Sequence, residues 1–173
     1  YGAYVIDRPP ELAGNSSPEW LAWEHAVQSV EEEFGGFERF ISLPATSPLR
    51  ATEDVERSLF ALDERTDGVV TMTSAHRSPW FNMVALESNG EVRILLDDPD
   101  IVRRQDSPDA YDLTTVAYVM RPRFIVENNR LWDGCVRGVF VPPERAIDID
   151  TELDLKIAEC LINQTKAEGE GPF

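Results

Sequence analysis

The chain is poor in cysteine, in basic residues and in long apolar runs. It holds two cysteines in 173 residues, Cys135 and Cys160, too few for a disulfide framework. Cys135 falls in an expected strand and Cys160 on an expected helix, and both are read as buried free thiols. Lysine and arginine together number 16 against 32 acidic residues, a formal net charge of −16. That balance excludes nonspecific nucleic-acid binding, which needs a basic surface. No run approaches the ~20 apolar residues of a membrane-spanning helix. No basic-then-apolar leader opens the chain, so the expected setting is cytoplasmic, with no membrane partner. A Gly-x-Ser-x-Gly elbow is absent, which leaves a hydrolase triad without support. No Cys or His partner stands at metal-binding spacing from His76.

What is present is enough for one domain with a core, since 42% of residues are hydrophobic. Glu19 to Phe34 reads as a helix after Ser16-Ser17-Pro18, with serine as cap. Trp20, Trp23, Val27, Val30 and Phe34 recur on one face. Phe37 to Leu43 reads as a strand, Thr52 to about Glu64 as a helix with Val55, Leu59 and Leu62 inward, and Gly68 to Thr73 as a strand. Two apolar runs flank Ser88-Asn89-Gly90-Glu91, a strong hairpin signal. Leu113 to Val119 is a further strand that Phe124 to Glu127 extends or caps, and Cys135 to Val141 is the last. The final helix starts at Thr151, with Thr151 and Asp154 as a capping-box pair and Leu153, Ile157 and Leu161 inward. Alternating helices and strands imply an α/β domain with a mainly parallel sheet and a hairpin excursion.

Three constellations carry chemistry. In Ile147-Asp148-Ile149-Asp150, an extended backbone points both carboxylates the same way. Such a pair is costly without a cation, and oxygen-only ligands suit Mg2+ or Mn2+. On spacing alone a second reading stays open, in which Asp150 or Thr151 caps the helix and Asp148 is solvated. The turn Leu43 to Arg50 follows a strand end, where open α/β sheets bind ligands, and offers the Thr46 and Ser47 hydroxyls and the Arg50 guanidinium. His76-Arg77-Ser78-Pro79-Trp80 follows another strand end with a titratable ring, although a lone His is more often structural. A nucleotide substrate would need basic residues gathered at the site, and the arginines do cluster, at 103–104, 121–123 and 130–137.

These pieces stand in a particular order: Arg8-Pro9-Pro10-Glu11-Leu12-Ala13, Ala45-Thr46-Ser47-Pro48-Leu49-Arg50, Ser74-Ala75-His76-Arg77-Ser78-Pro79, Arg103-Arg104-Gln105-Asp106-Ser107-Pro108, and Ala146 to Lys156. In that order the chain resembles the acylneuraminate cytidylyltransferases, the CMP-sialic acid synthetases, from residue 1 to about 165. The resemblance implies a Rossmann-like nucleotide-diphospho-sugar transferase fold. It implies one domain over 1–165, with the dimer and sugar-site region within 81–140 and a flexible tail at 166–173. It implies transfer of CMP from CTP to a nonulosonic acid with release of pyrophosphate, in a Mg2+- or Mn2+-dependent homodimer. Asp148 and Asp150 match the metal motif. Arg8, Ser16 or Ser17, Thr46 and Ser47 fall on the nucleotide side. Arg104, with Gln105 beside it, Tyr118 and His76 fall in the sugar half, and Arg104 also counts among the catalytic residues. Leu131 and Trp132 match an aromatic pair that reaches into a partner's sugar pocket.

Pro44 stands where many sialate-specific members carry Gln, and Leu131 replaces an aromatic, which opens the choice to legionaminic, pseudaminic or other nonulosonic acids. Family members also carry a Gly-rich basic loop that cradles the triphosphate. These 173 residues hold none, because Gly35-Gly36 reads as a helix stop without basic neighbours. The expectation is therefore a fragment or shortened homologue with weak or no activity and an uncovered sheet edge or face. The alternatives are a noncatalytic interaction module on this fold, or an enzyme activating a related 2-keto sugar acid.

Overall fold

The computed structural model describes residues 2–14 and 17–167. Helix α1 spans Glu19–Phe34, strand β1 Phe40–Ser42, helix α2 Thr52–Ala61 and strand β2 Gly68–Ser74. A hairpin of β3 (Val84–Leu86) and β4 (Val92–Ile94) follows, then β5 (Tyr111–Met120), α3 (Pro122–Glu127), β6 (Val136–Phe140) and α4 (Glu152–Ala167). Of the tail expected from residue 166, two residues close α4 and 168–173 lie outside the described residues.

The main sheet has the order β1-β5-β2-β6. β1, β2 and β6 run in one direction, and β5 runs back between β1 and β2. Two of the three pairings are therefore antiparallel and only β2–β6 is parallel, which corrects the expected mainly parallel sheet. The reason is the excursion after β2. The chain passes through the β3–β4 hairpin without crossing the sheet, so β5 starts where β2 ends and must return antiparallel.

Side chains alternate across this sheet into two cores. On one face Met120 and Tyr118 of β5 and Phe40 of β1 meet Trp20, Trp23 and Val27 of α1 and Phe124 and Ile125 of α3. On the other face Val119, Val69, Val139 and Ile41 meet Leu59 and Leu62 at the end of α2. Burial of such side chains contributes about 1.5–3 kcal/mol each. The Trp20 indole N–H also donates to the carbonyls of Ile125, at 3.2 Å, and Asn128, at 2.9 Å, locking α1 to α3.

Several expectations are corrected. Cys135 and Cys160 are free but exposed, because β6 is a sheet edge and α4 buries little. Ser17 does not cap α1; its hydroxyl donates to the Glu11 carbonyl at 3.3 Å, and Pro18 stands at the cap. Phe34 is exposed at the end of α1, where the chain has run past the sheet. In α2 the fully buried side chains are Asp54 and Ser58, while Val55 and Leu59 are only partly covered. Phe124 to Glu127 is neither strand nor cap but part of α3, started by Pro122 in its first turn. On α4, Leu153 and Ile157 are exposed and Ala158 is buried, so the helix rotates its small residue inward. The Thr151–Asp154 capping box forms as expected: Asp154 Oδ2 accepts from the Thr151 N–H at 2.8 Å and hydroxyl at 2.7 Å.

Candidate active site

Because β1, β2 and β6 share a direction, their carboxyl ends open onto one edge of the sheet. From β1 the chain enters the turn at 43–50. Ser47 is buried and its hydroxyl lies 2.6 Å from that of Thr115. Thr115 is delivered there by a bulge in β5, where the register with β2 shifts between Val70 and Thr71. The bulge is filled by the Thr71 hydroxyl, which accepts from the Ala117 N–H at 3.1 Å and the Thr114 hydroxyl at 2.7 Å. Ser47 thus braces the turn, and Thr46 is the hydroxyl left exposed. Arg50 folds back to donate to the Pro44 carbonyl. Its Nε is buried without a partner, and burial lowers its pKa.

From β6 the chain passes through a short turn at Pro143–Arg145 into the segment 146–150, which is neither helix nor strand. The Ile149 N–H donates to the Thr46 carbonyl at 2.9 Å, so the aspartate segment lies directly on the turn. Asp148 is half-buried, and its Oδ1 is buried with no hydrogen-bond partner. Asp150 is exposed.

The surroundings of Asp148 are charged and aromatic. Glu19, in the first turn of α1, is pushed above its ordinary pKa by burial, eased by Arg8 and the Trp23 indole, and raised further by Asp148. Tyr118 is raised by burial first, then by Glu19 and Asp148. Its ring packs on Trp23 with centroids 5.2 Å apart. Arg8, Glu19, Tyr118 and Asp148 therefore share one patch. Among the described residues no group of three or more His, Cys, Asp or Glu side chains is placed to hold a metal alone. A buried carboxylate oxygen without a donor nevertheless fits a hard cation whose other ligands are water and substrate oxygens.

A second group lies at the end of β2. Arg104 Nη2 donates to the His76 carbonyl at 3.0 Å, while the His76 ring and Gln105 face solvent. A cleft of about 230 Å³ opens there between Ser74, Arg77, Ser78, Arg104 and Tyr111. Trp132 is exposed, whereas Leu131 packs against the α1 core of its own chain. Ser16 lies outside the described residues. The other arginines do not pool into a basic surface: Arg103, Arg123, Arg130 and Arg137 each pair with a nearby carboxylate.

Three residues here escape the sequence reading. Glu19 shows in the sequence only as the first residue of a helix. Asp54, fully buried, and Arg145, partly buried, form an ion pair, with Arg145 Nη2 2.8 Å from Asp54 Oδ1. Asp54 had a local signal, since it stands third in its helix and its carboxylate accepts the Ala51 N–H at 3.0 Å. Its partner lies 91 residues away and had none.

No protein-family model matches the chain. Over 167 residues it is 33% identical to the CMP-N,N'-diacetyllegionaminic acid synthase of Campylobacter jejuni, covering 94% of this chain and 70% of that protein. The chain belongs to the acylneuraminate cytidylyltransferase family. This cytidylyltransferase-family chain is also 28% identical over 174 residues to post-translational flagellin modification protein B of Campylobacter coli, covering 98% of the chain and 73% of the relative. Its fold matches that of 4-diphosphocytidyl-2C-methyl-D-erythritol synthase from Anaerococcus prevotii, with TM-score 0.58, 14% identity and coverage of 86% and 68%. It also matches a CMP:2-keto-3-deoxy-manno-octonic acid synthetase complexed with CTP, with TM-score 0.54, 13% identity and coverage of 82% and 68%. The expected Rossmann-like class is thereby established.

Proposed function

We propose that this cytidylyltransferase-family chain transfers CMP from CTP to a nonulosonic acid. The observation that carries the reading is the buried, unpartnered Oδ1 of Asp148, held on the Thr46 turn at the carboxyl edge of the sheet. In the reaction the sugar's anomeric oxygen bonds to the α-phosphorus as the α–β anhydride oxygen departs with pyrophosphate, and the hydroxyl proton passes to solvent. Asp148 and Asp150 would hold Mg2+ or Mn2+, which neutralises phosphate oxygens and favours the ionised hydroxyl. Arg8 and Thr46, both exposed, would contact the nucleotide, with Ser17 nearby in sequence on the same side and Ser47 bracing the turn that carries Thr46. Arg104 suits the sugar carboxylate, with Gln105 and His76 beside it, and Tyr118 would meet the sugar from the Asp148 patch. The 33% relative named for diacetyllegionaminic acid supports a legionaminic-type acceptor over sialic acid.

A homodimer fits the exposed apolar side chains of the hairpin, Val84, Leu86 and Val92, together with Leu113 and Trp132. In that assembly Trp132 would reach the partner's acceptor site and Leu131 would set its height from its own core. Among the described residues no helix is long and apolar enough to cross a membrane.

The test is pyrophosphate release from CTP over a panel of legionaminic, pseudaminic and N-acetylneuraminic acids, with and without Mg2+. The chain is assayed together with whatever coding sequence precedes it in its gene. Mg2+-dependent release with one nonulosonic acid is expected. Metal-independent turnover would overturn the role of the aspartates, and no release with any acid would favour a noncatalytic interaction module.

A further inference from the structure

Asp54 has no exposed surface, on the face of α2 that also buries Ser58. Three bonds converge on its carboxylate. Oδ2 accepts the Ala51 N–H at 3.0 Å and Arg145 Nε at 2.9 Å, and Oδ1 accepts Arg145 Nη2 at 2.8 Å. The two arginine bonds form a fork, which fixes orientation as well as distance. Asp54 is fully covered and the Arg145 side chain is 19% exposed, so the pair lies mostly inside the protein.

Position in the chain gives this pair its meaning. Asp54 opens the helix that leaves the Thr46 turn, and Arg145 ends the short turn that leads into Asp148. Between them the Ile149 N–H reaches the Thr46 carbonyl at 2.9 Å. Two ties therefore hold the aspartate segment to the turn, one through backbone and one through the buried fork. A tie is needed because Asp148 has a buried oxygen without a donor and a neighbouring carboxylate in Glu19. Both favour movement of the segment toward water. A buried ion pair gives little net stability over an apolar pair of the same volume, so its value lies in geometry.

We propose that Asp54 and Arg145 are positioning residues whose buried fork registers the 146–150 segment on the Thr46 turn and so places Asp148 and Asp150 to hold the metal. This rests on the reading of those aspartates as metal ligands. The fork acts as an outer-shell support, and loss of such support lowers metal affinity by about 10- to 100-fold.

The experiment follows the amide exchange of Ile149 and of the core residue Val119, and titrates Mn2+ alone by its electron paramagnetic resonance signal. The variants are Arg145→Lys, which keeps the charge without the fork, and the double variant Asp54→Asn/Arg145→Gln, which leaves no unpaired buried charge and so protects the fold. The expected result in both is loss of Ile149 protection by about tenfold or more with Val119 unchanged. Mn2+ affinity should fall about 10- to 100-fold, less in Arg145→Lys than in the double variant. Unchanged Ile149 protection overturns the proposal, and so does a parallel loss at Val119, which would make the pair a general stabiliser. Asp148→Asn is the control for the metal reading. If it leaves Mn2+ binding unchanged, that reading fails and metal placement with it, while Ile149 exchange still reports whether the fork registers the segment.

Discussion

Replacing Asp148 by asparagine should make the metal-free protein more stable while removing its metal response. Asp148 Oδ1 is buried without a hydrogen-bond partner, and Glu19 stands close enough for each carboxylate to oppose the other. An unsatisfied buried acceptor costs about 1–3 kcal/mol, and more when it is charged. Asparagine keeps the shape and the unsatisfied atom but removes the charge, so only the charged excess is recovered. Asp148 is half-exposed, which sets the gain at the lower end, about 1 kcal/mol. For a chain of this length that corresponds to a midpoint rise of about 2–4 °C. Manganese at 100 times its dissociation constant stabilises a binding protein by about 2.7 kcal/mol and leaves a non-binding one where it was. The order of stability therefore inverts: the variant leads by about 1 kcal/mol without metal, and the parent leads by about 1.7 kcal/mol with it. Urea unfolding at constant pH, with and without Mn2+, reads both differences, and turnover by the variant should be lost in parallel. A variant less stable than the parent without metal, or equal stabilisation of the two by Mn2+, would refute the reasoning.

Four further outcomes are expected. Ile125→Ala opens a cavity between α1 and α3 at a position with no exposed surface and should cost about 2–5 kcal/mol in urea unfolding. Trp20→Phe removes the indole donor that Ile125 and Asn128 share, and should lower stability by about 1–3 kcal/mol, with the buried Ile125 carbonyl losing its donor and the part-buried Asn128 carbonyl open to water. Gly90 has φ 87° in the hairpin turn, so Gly90→Ala should cost about 1 kcal/mol and speed amide exchange in β3 and β4 alone. Asp154 is held below its ordinary pKa of 3.8, first by the Thr151 hydroxyl and then by the Thr151 N–H. Its folded value is the lower one, so the cap is fully present above 3.8 and is lost as pH falls through the folded value. Exchange at the start of α4 should accelerate in that acid window, and Asp154→Asn should abolish the pH dependence.

Features written into a few neighbouring residues were legible before any coordinates. Helix α1 spans Glu19–Phe34, the same residues its apolar spacing marks, because a 3.6-residue period repeats over four turns. The hairpin was set by Asn89-Gly90, and Gly90 does adopt the left-handed backbone that such a turn needs. The Thr151–Asp154 box was legible for the same reason, since donor and acceptor are three residues apart. Helix α3 is hidden in the sequence because Phe124-Ile125-Val126 is β-like in composition, while Pro122, the helix signal, stands before the run. Of the candidate site, the order of motifs points to Asp148, Asp150 and the Thr46 turn, but not to what surrounds them.

Chain closure decided the rest. The return of β5 between β1 and β2 delivers Tyr118 beside Asp148 and Thr115 beneath Ser47, and no local pattern encodes that insertion. Glu19 enters the site only because α1 packs on the same sheet face as Tyr118. Asp54 and Arg145 meet across 91 residues, where neither charge carries a sign of the other. Secondary structure and caps depend on groups a few residues apart, which sequence alone displays. The sheet order, the buried fork and the uncompensated oxygen of Asp148 depend on which distant segments share one interior. Only the folded chain brings those segments together.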